Sequence, residues 1–333
     1  MSKKLTWDDI CEDPVYRALD PRQPFMVARY LPPEMNPFVK YGIRVAALVP
    51  FTILPHIKTV ATIGMLEWDF GHGDQPGYSR DNHTIVVDSS GNTAHAVARL
   101  ARAFGYAEVK VVLSADVPDS KKGILAALSS VEIIEVAGGK SVAARAIEEA
   151  KRPGHYHLNQ YAHPGNPDAH EQYTGPEIAR ALGSTPAVIA IAMGSAGTAM
   201  GVGNYFHRAC PGLTQVIGVR PKLGEQVPGA RDEKRMADVV TLSWAGSVNA
   251  VMEDIGRKQS FTCMRKLWRA VEPQPGPTSG LAWAGLEHYL RHRLHSYELQ
   301  ELRGRTVAFI CPDDGRFYSD RTLGELDTDQ GVA

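Results

Sequence analysis

Cysteine is scarce. Only Cys11, Cys210, Cys263 and Cys311 occur in 333 residues, widely spaced and without a C-x-x-C pair. That spacing argues against a disulfide framework and a cysteine zinc site, and points to reduced thiols in a cytoplasmic protein. Long hydrophobic runs are also missing. The most apolar stretch, VAALVPFTILP from Val45 to Pro55, falls well short of the ~20 residues a membrane-spanning helix needs. The opening segment MSKKLTWDDICEDP is charged and carries no apolar signal-peptide core. Neither sign of charge dominates: 36 Lys+Arg against 37 Asp+Glu leave a formal net charge of −1. Nothing in that balance calls for a nucleic-acid or membrane partner. Internal repeats, low-complexity tracts and heptads are absent, as is the G-x-S-x-G elbow of serine hydrolases.

What is present is an ordinary globular composition, 44% hydrophobic and 22% charged, in a chain long enough for two domains. From Thr84 onward, short apolar runs alternate with helical patterns. TIVVD, VKVVLS, VEIIEV, AVIAIAM, QVIGV and TVAFIC read as strands; NTAHAVARLARAFG, SVAARAIEEAKR, NPDAHEQYTGPEIARAL, TAMGVGNYFHRA and TSGLAWAGLEHYLRHRL read as helices. Continuous rather than alternating apolar strands are buried on both faces. The expected fold class is therefore α/β, with mostly parallel sheets flanked by helices. The turn-rich YAHPGNPD is a candidate domain junction.

Several junctions invite chemistry. Between strand and helix, Ser89, Ser90, Gly91, Asn92 and Thr93 form a run of small polar residues. Such a run suits a helix cap, and equally an anion site at a positive helix end. Gly194-Ser195-Ala196-Gly197-Thr198 follows another strand and opens a helix. It can turn backbone N–H groups toward a phosphate, or simply pack tightly. It does not match G-x-G-x-x-G, and Gly201 and Gly203 are followed by Phe206 where the third glycine belongs. AGGKS lacks the first P-loop glycine, since Ile134 stands there, and reads as a capped turn. His155, His157, His163 and His170 have no zinc spacing, so no metal is expected. Asp313 and Asp314 follow the last strand, where they fit either a turn or a ligand-binding strand end.

Together these blocks resemble the cysteine synthase family, fold-type II enzymes that use pyridoxal 5'-phosphate. SSGNTA is similar to the family's TSGNTG loop, NQYAHPGNPDAHEQYTGPEI to its QQFxNPANPxxHxxTTGPEI block, and GSAGTAMGVG to its GTGGTLTGVG cradle. GPTSGLAWA resembles GISSGAAVA, and CPDDGRFYSD resembles LPDSGxRYLS. The resemblance implies a two-domain fold, with residues 54–161 as the smaller domain and 1–53 plus 162–333 as the larger. The usual NPTGSxKDR lysine segment is absent. Lys58 is the expected Schiff-base lysine, because Met65 follows it as in the family's lysine helix and Asn92 lies 34 positions on; from Lys40 the distance would be 52.

By the same resemblance Asn92 would bond the cofactor's 3′-oxygen. Gly194, Ser195, Ala196, Gly197 and Thr198 would cradle its phosphate, with Ala196 tolerated at negative φ. Ser89, Ser90, Gly91, Thr93 and Gln160 would hold the substrate carboxylate, and Asp314 would face the pyridine nitrogen. The implied activity is β-replacement on an activated L-serine through an aminoacrylate, with an unidentified small nucleophile, in a homodimer. The alternatives are β-elimination or another α-carbon reaction, and a catalytically inactive cofactor-binding protein.

Overall fold

The computed structural model describes residues 5–51, 57–72, 78–79, 81–138, 140–313 and 315. Among the described residues ten strands run in chain order: β1 (Met26–Tyr30), β2 (Arg44–Pro50), β3 (Thr84–Asp88), β4 (Glu108–Ser114), β5 (Val131–Val136), β6 (His155–His157), β7 (Val188–Ala192), β8 (Gln215–Pro221), β9 (Ala250–Ile255) and β10 (Thr306–Ile310). They form two sheets. A four-stranded sheet has the order β5-β4-β3-β6 and is wholly parallel. A six-stranded sheet has the order β1-β2-β10-β7-β8-β9, with only β1 antiparallel to its neighbour. Every residue of β3 and β10 is buried, as their unbroken apolar runs require.

Two short helices, α1 (Trp7–Ile10) and α2 (Pro14–Arg17), open the described chain, and α3 (Lys58–Gly71) follows the first two strands. Around the smaller sheet lie α4 (Asn92–Leu100), α5 (Asp119–Ala126) and α6 (Val142–Glu149). Then come α7 (Gly165–Ala169), α8 (Gly175–Leu182) and α9 (Gly197–Ala209). One π-helical turn, His170–Thr174, joins α7 to α8 and splits what the sequence suggests is one helix. Trp7, Ile10 and Leu19 share a core with Leu100, Phe104 and Val87, and the Trp7 and Phe104 rings stack at 5.7 Å. The N-terminal helices thus pack against residues of the smaller sheet and its helices. Position 54 itself lies outside the described residues.

The smaller sheet carries a buried ionic cluster. Glu149, 1% exposed, receives Lys110 Nζ at 3.1 Å, Arg152 Nη1 at 2.9 Å and Arg145 Nη2 at 3.0 Å. Burial alone would raise its pKa; the Lys110 hydrogen bond and the surrounding cations outweigh that and hold it below the usual carboxylate range. Glu149→Gln removes the buried carboxylate shared by the three cations and leaves Lys110 with the half-exposed Glu132 at 3.1 Å and Arg145 with Glu148 at 3.5 Å; we expect it to destabilise the fold by about 2 kcal/mol near neutral pH. The contribution is present above the ordinary glutamate pKa and lost as pH falls through the lower folded value. Denaturant titrations of both proteins should therefore converge on acidification; a gap independent of pH would assign the loss to packing.

Candidate active site

The C-terminal ends of β3, β7 and β10 face one cleft of about 1330 Å³ between the two sheets. This is where open parallel sheets present their loops to ligands. The polar run after β3 forms one wall. None of its side chains caps α4: the N-cap is Gly91 and has no side-chain hydrogen bond. Instead the run reaches outward. Asn92 Nδ2 donates to Asp313 Oδ2 at 2.7 Å, and Thr93 Oγ1 donates to Gln160 Oε1 at 2.8 Å. Ser89, Ser90, Gly91 and Gln160 line the same cleft.

The opposite wall is the turn from β7 into α9. A Cβ on Gly194 would lie 2.4 Å from the Gly229 carbonyl oxygen, and one on Gly197 would lie 2.1 Å from Asn166 Oδ1. Position 194 therefore requires glycine, a side chain at Gly197 would have to displace the buried Asn166 amide, and the backbone lies open beside the N-terminus of a 13-residue helix. Ala196 departs from the expected negative φ: it sits at +66°, in the left-handed region. An L-residue there costs roughly 1–2 kcal/mol, partly offset by burying its methyl, worth about 0.8 kcal/mol. Ala196→Gly should consequently be nearly neutral in urea unfolding. Ala196→Val should cost about 2 kcal/mol, because a β-branched residue fits positive φ badly. Equal stabilities would remove strain from the account.

Lys58 is the first residue of α3 and joins the walls. Its Nζ donates to Ser195 Oγ at 3.2 Å, and Asn166 Nδ2 donates to that same hydroxyl at 3.1 Å and to the Gln160 carbonyl at 2.7 Å. Burial, and secondarily the Arg231 charge, lower the lysine to about 8. Arg231 is held by its N–H to the Met193 carbonyl and by its guanidinium to the Tyr161 hydroxyl. Lys40 is exposed, with its ammonium 5.0 Å from the Tyr41 ring centre, and does not line the cleft. Under the cradle, burial and then the Lys58 charge lower His170 to about 3, so the ring is neutral. It bridges Thr174 Oγ1 at 2.8 Å and Thr198 Oγ1 at 3.1 Å.

The residues on both walls match a phosphate-bearing aldehyde: an amine of lowered pKa stands beside a glycine cradle at a helix N-terminus. The family model described as pyridoxal-phosphate dependent enzyme matches residues 64–313. The chain belongs to that family. Members use pyridoxal 5'-phosphate, and this is a cysteine synthase-like enzyme of that type. It is 28% identical over 246 residues to cysteine synthase B of Pseudomonas aeruginosa, covering 73% of this chain and 78% of the relative. Against cysteine synthase B of Escherichia coli the identity is 25% over 278 residues, covering 83% and 86%. Among solved structures, O-ureido-L-serine synthase superposes with a TM-score of 0.76 at 20% identity, covering 95% of this chain and 96% of that one. Cysteine synthase from Entamoeba histolytica gives the same TM-score and identity over 95% and 92%. These likenesses show the two-domain α/β fold-type II architecture of this pyridoxal-phosphate dependent enzyme.

Lys58 precedes the matched segment by six positions. Asp314 lies outside the described residues; its neighbour Asp313 is buried and lines the cleft. Asn166 and Arg231 are cleft-shaping residues that the sequence did not single out, and His170 was weighed there only as a metal ligand. Asn166 and His170 sit inside the HPGNPDAH segment, but no local pattern marks Arg231. Among the described residues no helix is long and apolar enough to cross a membrane, and no group of three metal-binding side chains gathers.

Proposed function

We propose that this enzyme carries out β-replacement on an activated L-serine, with Lys58 as the cofactor-bearing lysine. The carrying observation is a partly buried amine of lowered pKa flanked by a glycine cradle on one side and hydroxyl and amide donors on the other. Bound pyridoxal phosphate supplies the electron sink for breaking bonds at the α-carbon. The backbone of Gly194 to Thr198, with the Ser195 and Thr198 hydroxyls, holds the phosphate, and Asn92 holds the ring's 3′-oxygen. Ser89, Ser90, Gly91, Thr93 and Gln160 orient the amino-acid carboxylate. Lys58 Nζ takes the α-proton, a role that its lowered pKa suits near neutral pH. The division at residues 54 and 161, a role of Asp314 at the pyridine nitrogen, and a homodimeric assembly belong to this proposal.

Mass spectrometry of products from O-acetylserine, O-phosphoserine or serine with a panel of small nucleophiles tests it. Adducts at the serine β-carbon are expected. Pyruvate and ammonia regardless of nucleophile would instead establish elimination, and a protein that retains cofactor but never turns over would overturn both. Gln160→Ala should weaken amino-acid binding roughly tenfold to a hundredfold, the worth of one charge-assisted hydrogen bond at ~1.5–3 kcal/mol. Cofactor content should not change. Undiminished binding would mean that Gln160 only supports Thr93.

A further inference from the structure

Asp69 and His163 form a buried pair to which no role has been given above. Asp69 stands 11 residues after Lys58 on α3, about three helical turns, so both residues project from one side of that helix. Asp69 is fully buried and His163 is 6% exposed. His163 Nδ1 accepts the Gly165 backbone N–H at 3.0 Å, which leaves the ring proton on Nε2 to be donated to Asp69 Oδ1 at 2.8 Å. The imidazole is therefore bonded at both nitrogens, to the lysine helix and to the loop.

That loop carries Gln160 at one end and Asn166 at the other, and bonds within it make it stiff. His163 N–H donates to the Asn159 carbonyl, Asn166 N–H to the His163 carbonyl, and Asn166 Nδ2 to the Gln160 carbonyl. Beneath it α3 and α7 touch through glycine: a Cβ on Gly165 would lie 2.6 Å from the Gly64 carbonyl oxygen. The Ala169 methyl sits over Gly64 and the Trp68 Cβ over Gly165, and apolar contacts between such small groups carry little directional preference along the axis. A buried, directional, charge-assisted bond supplies one.

We propose that the Asp69–His163 pair is a strut that sets the register of the Gln160–Asn166 loop against the Lys58 helix, making both positioning residues for amino-acid binding. The inference rests on the roles given above to Lys58 and Gln160. The test compares His163→Gln, Asp69→Asn and Asp69→Leu as holoenzymes, by steady-state kinetics and by hydrogen exchange without substrate. His163→Gln and Asp69→Leu should raise the KM for the amino acid about tenfold, leave kcat within threefold, and speed exchange mainly in residues 159–166. Asp69→Asn keeps an oxygen acceptor and should stay within about threefold of the parent KM; it also serves where a harsher variant fails to fold. An unchanged KM, or exchange accelerated equally in β3 and β7, would overturn the strut. Cofactor mapped to a lysine other than Lys58 would overturn the site assignment while leaving the exchange comparison intact, so the two failures are separable.

Discussion

Lys58→Ala is expected to lower kcat by about 10⁴-fold or more, because it removes the cofactor anchor and the proton carrier together. The same change should leave the fold intact, since the Lys58 ammonium donates to a cleft hydroxyl, that of Ser195, and not to a core group. Cofactor should still bind through the cradle but should no longer be fixed by borohydride. In the parent protein, borohydride followed by peptide mapping should label Lys58; label on Lys40 would overturn the assignment. The pH dependence follows from the causes of the shift. Burial and the Arg231 charge both favour the neutral amine, bringing its pKa to about 8. Cofactor uptake by the apoprotein should therefore rise with pH and level off above about 8, where an ordinary lysine would continue to gain until beyond ~10.4. Arg231→Leu removes the smaller of the two causes and should move that midpoint upward. An unmoved midpoint would leave desolvation as the sole cause.

Much of the fold was legible because parallel strands buried on both faces read as unbroken apolar runs. Thr84–Asp88 and Thr306–Ile310 are examples. The elements that escaped notice lack that signature. β1 is an antiparallel edge strand whose last residues, Arg29 and Tyr30, are exposed. β9 closes the other edge with the mixed sequence AVMEDI. β2 lay within an apolar run that was weighed only as a membrane segment. At the site, composition identified the polar run from Ser89 to Thr93 but could not decide between cap and ligand. What takes these side chains away from the helix end is partners far along the chain: Asn92 meets Asp313, and Thr93 meets Gln160. Local sequence carries no record of such pairings. Nor could it show that Ala196 adopts positive φ, since that follows from how β7 and α9 are joined.

Gly194→Ala is expected to impair cofactor retention, with at least a hundredfold loss of activity. The reasoning starts from the collision. The new methyl would lie 2.4 Å from the carbonyl oxygen of Gly229, a backbone atom that cannot rotate away as a side chain can. Gly229 is itself at φ +86°, in a turn with little freedom to adjust. Two residues on, Arg231 N–H donates to the Met193 carbonyl, so the segment is tied to the end of β7 beside the cradle. Something must yield, and either choice harms the site. If the cradle moves, backbone N–H groups lose their aim at the phosphate. If the 229–231 segment moves, Arg231 leaves Tyr161 and its influence on Lys58 weakens. Overpacking of this kind costs typically ~1–3 kcal/mol of stability, which is small enough for the protein to fold. Cofactor content, unfolding midpoint and the pH midpoint of cofactor uptake separate the two routes. A displaced cradle loses cofactor with the midpoint unchanged, whereas a displaced Arg231 raises the midpoint and keeps part of the cofactor. A variant with normal cofactor, midpoint and turnover would mean that Gly194 serves only strand-to-helix packing.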